Sequence, residues 1–263
     1  MLGMNATKNI LKFELHKLLR QKSFYICSAI VIMLPVLFIV LVKIAGNAAG
    51  NLGSLLATVV MSEIFSGQSF ALCAIKLANF TSVFGIFVVL FVCTDYENQT
   101  IKNIYSRGFS RSKVYLFKWI ICMCVAVVVF ILTVLMSYIF GSIVFGNNAQ
   151  SGNYFGLICG QLVVVLGYST FIFFLSSSFR RVGISIAFLI LGPLVIDIVF
   201  SLFDTLLKID GFTLSSYWFS SFETDLIDLD TSTTRLWIGI GFSIAYAVLF
   251  TFLGLLVTKK QEC

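Results

Sequence analysis

Charged side chains are scarce in this 263-residue chain: Asp, Glu, Lys and Arg make up 11% of it, against roughly a quarter in an ordinary soluble domain. Hydrophobic residues make up 59%, and the mean hydropathy is +1.01. No polar block is long enough to enclose a core of its own, so a water-soluble fold is excluded and the bilayer is the solvent to reason in. Histidine is nearly absent as well. His16 has no second histidine to share a metal ion with, and no metal site is expected. Cysteine is present without its usual chemistry. Cys27, Cys73, Cys93, Cys122, Cys124, Cys159 and Cys263 are odd in number and contain no C-x-x-C pair, which leaves them as small apolar packing residues. The chain has neither a G-x-x-x-x-G-K-[ST] sequence nor an H-E-x-x-H sequence. It therefore carries no phosphate-cradling loop and no zinc-protease helix, and nothing in it points to a nucleic acid.

What the chain does have is long apolar runs. A bilayer core about 30 Å thick takes about 20 apolar residues as a helix. Six stretches meet that length: Ser23 to Val42, Phe70 to Cys93, Val114 to Phe145, Tyr154 to Leu175, Val182 to Phe203 and Leu236 to Val257. Backbone groups in lipid must be paired internally, and the runs lack the period-two alternation of a barrel. The expected fold is an all-α polytopic membrane protein whose 263 residues form a single transmembrane domain.

Lysine and arginine set the orientation. Fourteen of eighteen fall in the N-terminal segment, the loop 94–113 with the base of the third run, the short loop at Arg180 and Arg181, and the tail. The opposite loops carry Lys43, Lys208 and Arg235, while Asp204, Asp210, Glu223, Asp225, Asp228 and Asp230 gather in 204–235. Both termini are thus expected in the cytoplasm, with the acidic loop outside. Trp119, Trp237, Tyr25, Tyr154 and Tyr246 lie near run ends, as interfacial anchors do. A cleaved signal peptide is the rival reading of the start, since Ala45 to Ala49 offers small residues. Against it, the apolar run is longer than a signal core and the charged stretch before it is periodic.

That periodic stretch, within 1–22, places Leu11, Leu15, Leu18 and Leu19 on one side and Lys12, His16, Lys17 and Arg20 largely on the other. It reads as an amphipathic helix on the inner leaflet, serving as an anchor, a partner-contacting elbow, or both. In the loop 94–113, Asp95, Glu97 and Asn98 suit the start of a short helix. Ile101, Ile104 and Tyr105 then share one face as an apolar knob, Gly108 ends the piece, and Ser110 offers a cap to the third run. Such a knob fits a groove on a soluble partner, or rests on the membrane.

The run Asp95-Tyr-Glu-x-x-Thr-Ile-Lys-Asn103, then Ser106-Arg-Gly-Phe-Ser-Arg-Ser-Lys-Val-Tyr115, with Lys118 beyond, resembles the permease subunits of type-2 ABC exporters. In particular it resembles the short bacterial permeases related to bacitracin resistance and lantibiotic immunity. Glu14 and Lys17 in the amphipathic start, the six-run layout and the loop Ser176-Ser-Ser-Phe-Arg-Arg181 extend the resemblance over the whole chain. Gly108 departs from it, standing where many relatives have proline. The resemblance implies a coupling helix at Asn98 to Ser106 seated in a cleft of a separate ABC ATPase, which would hold ATP and Mg. Glu97, Thr100, Ile101, Ile104, Tyr105 and Arg107 would be its contacts, with a second, smaller contact at Arg180. It also implies a second permease subunit, identical or merely similar, and transport rather than catalysis. The cargo would be peptide-like or lipophilic, as in antimicrobial-peptide efflux or immunity.

Within the runs, Gly152, Gly156 and Gly160 make a smooth stripe, for packing inside the subunit or against a second one. Lys76 and Asp197, the latter after the helix-disrupting Gly192-Pro193 pair, both fall in the outer half of the bilayer. They could pair with each other or reach outward to water. Leu52 to Phe65 reads as a short interfacial helix, and 204–235 resembles the outer gate region of the same permeases. Its acidity would suit a cationic cargo, although charge balance across the bilayer explains it more simply. An intramembrane enzyme would need paired catalytic groups within spans, and an ion-coupled carrier would show more polar spans or an internal repeat. The sequence has none of these.

Overall fold

The computed structural model describes residues 13–50, 66–106, 109–146, 153–207, 213–229 and 231–260. Among these the regular elements are helices, with no strand. Residues 13–20 form α1, followed by α2 (Lys22–Gly50), α3 (Gly67–Leu77), α4 (Phe80–Glu97), α5 (Thr100–Ser106), α6 (Arg111–Phe145), α7 (Tyr154–Phe179) and α8 (Val182–Leu207). A 3₁₀ turn (Leu214–Tyr217), α9 (Phe219–Asp225) and α10 (Thr233–Lys260) complete the chain. Six of the helices, α2, α4, α6, α7, α8 and α10, are long and apolar enough to cross a membrane. The protein is an all-α polytopic membrane protein.

Chain direction sorts the helix ends into two groups. The basic end gathers α1, the end of α4, α5, the start of α6, the 180–181 turn and the end of α10. The acidic end gathers the start of α3, the end of α6, the 3₁₀ turn and α9. The helix α7 is the most enclosed, with α10, α4 and α6 around it. In contrast α8 turns nearly all of its apolar surface outward, with Ile190, Leu194, Ile198 and Leu206 all exposed. Phe80, Phe87, Phe91, Phe130 and Phe173 fill the centre. Large rigid rings suit this role, because lipid tails supply no hydrophobic drive and close packing holds the helices together.

Two departures from the sequence reading concern helix continuity. The second apolar run is not one helix. It breaks between α3 and α4, where Asn79 takes a left-handed φ of 47° that asparagine tolerates better than most residues. Conversely, Gly192-Pro193 does not interrupt α8, and Pro35 lies inside α2. Proline is accepted in membrane helices where neighbouring groups satisfy the freed carbonyl. The expected interfacial helix at 52–65, the turn at Gly108, and Leu11 of the amphipathic stripe lie outside the described residues.

The helices α3 and α6 approach closely at a pair of glycines. A Cβ on Gly67 would lie 2.9 Å from the backbone nitrogen of Ser142, and one on Gly141 would lie 3.1 Å from the Cα of Gly67. The Gly67 N–H donates to the Gly146 carbonyl at 3.2 Å, tying the two helix ends together. Gly67→Val therefore has to push two backbones apart. It is expected to cost about 1–3 kcal/mol, in line with overpacked cores, read as a lowered unfolding midpoint in nanodiscs.

Candidate coupling site

At the basic end, α4 finishes in Asp95, Tyr96 and Glu97, and the chain turns sharply at Gln99, whose φ is 55°. The short helix α5 follows. Asn98 closes α4 rather than capping α5, and Ser110, although it precedes α6, makes no side-chain cap. Its carbonyl instead accepts the first backbone bonds of that helix, from Lys113 and Val114.

The orientation of α5 revises the expected knob. Ile101 is 2% exposed and roots the helix on its own chain, whereas Ile104 and Tyr105 are half-buried and Lys102 and Asn103 are exposed. Ile101 thus cannot belong to a protruding ridge together with Ile104 and Tyr105. Tyr105 lies under the Arg111 guanidinium, 5.7 Å from ring centre to Cζ. Thr100 is the first residue of α5, and Arg107 lies outside the described residues.

Beside α5 lies the turn between α7 and α8. Arg180 adopts a left-handed φ of 58° and stacks its guanidinium over Tyr96 at 4.9 Å. Glu97 Oε1 accepts a hydrogen bond of 2.8 Å from the Val182 N–H, the first residue of α8. A carboxylate suits that place, since the first N–H groups of a helix are unsatisfied and its dipole is positive there. The two loops therefore form one surface, around a cleft of about 400 Å³ lined by Tyr96, Glu97, Ile101, Lys102, Arg180 and Arg181 among others.

Behind the cleft is a buried charge cluster that the sequence reading did not assemble. Asp95 bonds both Lys17 of α1 and Lys118 of α6, and Lys118 also donates to Glu14 at 3.3 Å. Glu14, Asp95 and Lys118 are all buried. Both ammonium groups also lie over the face of Phe91, at 5.7 Å from Lys17 and 5.0 Å from Lys118. Two acids and two lysines balance in charge. Burial, and next the neighbouring Lys118, lower the Lys17 ammonium to about 8, with Glu14 opposing them. The amphipathic helix is consequently held by charge on its inner face, with Glu14 and Leu18 buried while Leu15 and Leu19 point outward. The available signal was a set of charges at the ends of apolar runs, where lipid gives an unpaired charge no support.

At the acidic end, the segment 213–229 folds back into the bundle. Trp218, Phe219 and Phe222 are buried, with the first two packed among Tyr168, Phe171, Phe200 and Tyr246. Asp204 accepts from the Leu214 and Ser215 N–H groups at 2.6 and 3.0 Å, and Arg235 pairs with Asp225 at 2.7 Å. Lys76 and Asp197 do not pair with each other. Lys76 donates to Thr224 Oγ1 at 3.3 Å, and Asp197 accepts from Ser220 Oγ at 2.8 Å, so each holds a different turn of α9. Gly160 faces Leu226, and Gly156 packs under Asn153, which caps the start of its own helix. Gly160 therefore packs on other elements of the same chain, and Gly152 lies outside the described residues.

No curated protein matches the sequence. A family model described as ABC-2 family transporter protein matches residues 10–204, a stretch that takes in α1, the buried charge cluster, α5 and both loops of the cleft. With about three quarters of its length inside that match, this transmembrane chain belongs to the ABC-2 family of transporter proteins.

Proposed function

We propose that this chain is the permease half-pathway of an ATP-driven exporter in the bacterial cell membrane, with its basic end and both termini in the cytoplasm. The lysine and arginine bias supports that orientation. Energy enters from a separate ABC ATPase subunit, which holds ATP and Mg, and the present chain hydrolyses nothing. The observation that carries this reading is the Glu97 to Val182 bond, which fuses the α5 loop and the 180–181 turn into one docking surface. Ile104, Tyr105 and Lys102 on α5, with Arg180 and Arg181 across the cleft, meet the ATPase. Ile101 and Glu97 hold that surface in shape.

A push on this surface is carried by α4 to α7 and α8, on which it packs. Two permease subunits, identical or merely similar, enclose the pathway, and the bare apolar side of α8 supplies a face for the second. The cargo is peptide-like or lipophilic, and efflux of an antimicrobial peptide fits the acidic outer segment, which attracts cations. Co-purification with the ATPase subunit tests the core of the proposal. Wild type is expected to bind the ATPase and raise its ATP hydrolysis, and Ile104→Glu with Tyr105→Ala is expected to reduce that gain by at least about tenfold, a loss of about 1.4 kcal/mol of coupling. Full stimulation by the double variant would remove α5 as the point of entry.

A further inference from the structure

Behind α9 lies a small, partly open cavity of about 10 Å³, lined by Ile75, Lys76, Gln161, Val164, Glu223 and Ile227 among others. That is about the room one water molecule needs. Gln161, 4% exposed, donates through Nε2 to the Leu72 and Leu226 carbonyls at 2.9 and 3.0 Å, which fixes its amide and leaves Oε1 as an acceptor. Neither that Oε1 nor the enclosed Oε1 of Glu223 receives a hydrogen bond from any described residue. Two buried acceptor oxygens on one cavity are unfavourable together, because each has lost water and neither can donate to the other.

We propose that Glu223 and Gln161 form a proton-binding site that latches α9 onto the bundle. A proton on the Glu223 carboxyl turns one acceptor into a donor, which reaches Gln161 Oε1 across the cavity, with room for one bridging water. Gln161 already grips Leu226 at the end of α9 and Leu72 of α3, so the proton closes a ring joining α9, α7 and α3. The charged and titratable groups around Glu223 are Lys76 from α3, Asp197 from α8 and Tyr168 from α7, and none forms an ion pair with it. On its own segment, Asp225 is engaged by Arg235.

Burial pushes the Glu223 carboxyl up to about 7; Lys76 opposes this and Asp197 adds to it. The latched arrangement therefore binds a proton more tightly than a released α9, whose carboxyl has the ordinary value of 4.5. Its advantage is complete below about pH 4.5, shrinks as pH rises, and is gone once pH passes about 7.

Hydrogen exchange of 213–229 in the full chain in nanodiscs, corrected for the intrinsic pH effect, tests the latch. Between about pH 5.5 and about pH 8.5 wild type is expected to lose protection by up to roughly thirtyfold, and Glu223→Gln, which carries a permanent donor, to lose none. A wild-type change under about threefold, or an equal change in Glu223→Gln, overturns the proposal. Infrared spectroscopy of wild type gives an answer that does not depend on the variant folding. A protonated carboxyl band that persists at about pH 6, where an ordinary carboxylate has ionised, supports the site, and loss of all such bands by about pH 5.5 overturns it.

Discussion

A Lys118→Met chain is expected to unfold more readily by about 3–5 kcal/mol, the cost of breaking a buried ion pair from one side. Lys118 is the hub of the cluster: without it Glu14 has no ion-pair partner among the described residues, and Asp95 keeps only Lys17. The carboxylate of Glu14 then sits fully enclosed beside an apolar thioether. Replacing the whole buried set, with Glu14→Leu and Asp95→Leu added, is expected to restore most of the loss, since well-packed apolar side chains often equal a buried ion pair. The lone Lys17, partly exposed, can then turn to water. Unfolding midpoints of the three chains in nanodiscs measure both steps. An unchanged midpoint in Lys118→Met would mean that water reaches the cluster.

Ile101→Ala and Ile104→Ala are expected to separate holding from docking. Ile101 is buried on its own chain, and removing its side chain is expected to cost about 2–5 kcal/mol locally, read as faster hydrogen exchange across 95–106 in the isolated permease. Ile104 is half-buried, so its truncation is expected to leave that exchange within about threefold of wild type, a change of less than about 1 kcal/mol. Under the proposed coupling, its effect is expected instead on ATP hydrolysis by the partner. If both variants behave alike in the isolated chain, α5 is not rooted through Ile101.

The comparison of these two isoleucines shows how far the sequence can be read. Helical spacing placed Ile101 and Ile104 on one face, because periodicity depends only on local geometry. It could not say whether that face meets the chain itself or another molecule, since that depends on where α4 ends and α7 turns. The six apolar runs were legible for the same local reason, as length and hydropathy suffice to mark a span. The joint at Asn79 was not, because Lys76, Asn79, Thr81 and Ser82 are spread singly and in a pair through an apolar run and give no breaking signal of the kind proline gives. At Gly192-Pro193 the signal was present and the helix continued regardless. Glu14, Asp95 and Lys118 were visible one by one, but their meeting links residues as far as 104 positions apart, and only tertiary packing makes it. Lys76 and Asp197 were matched by depth, yet each has a hydroxyl of α9 as partner. Depth fixes which charges share a layer and leaves their azimuth open.

The interruption at Asn79 also divides the labour of the second crossing. A continuous rod would turn as one lever, so a shove at its inner tip would swing the outer tip the opposite way. With an elbow at Asn79, the lower limb α4 bears chiefly on α7, while the upper limb α3 stays clamped to α6 through Gly67 and Gly141. Under the proposed coupling, a stroke delivered beside Glu97 is expected to fall first on the central helix α7, on which α4 chiefly packs. The limb α3, held far more by α6 than by α4, is expected to follow such a stroke least.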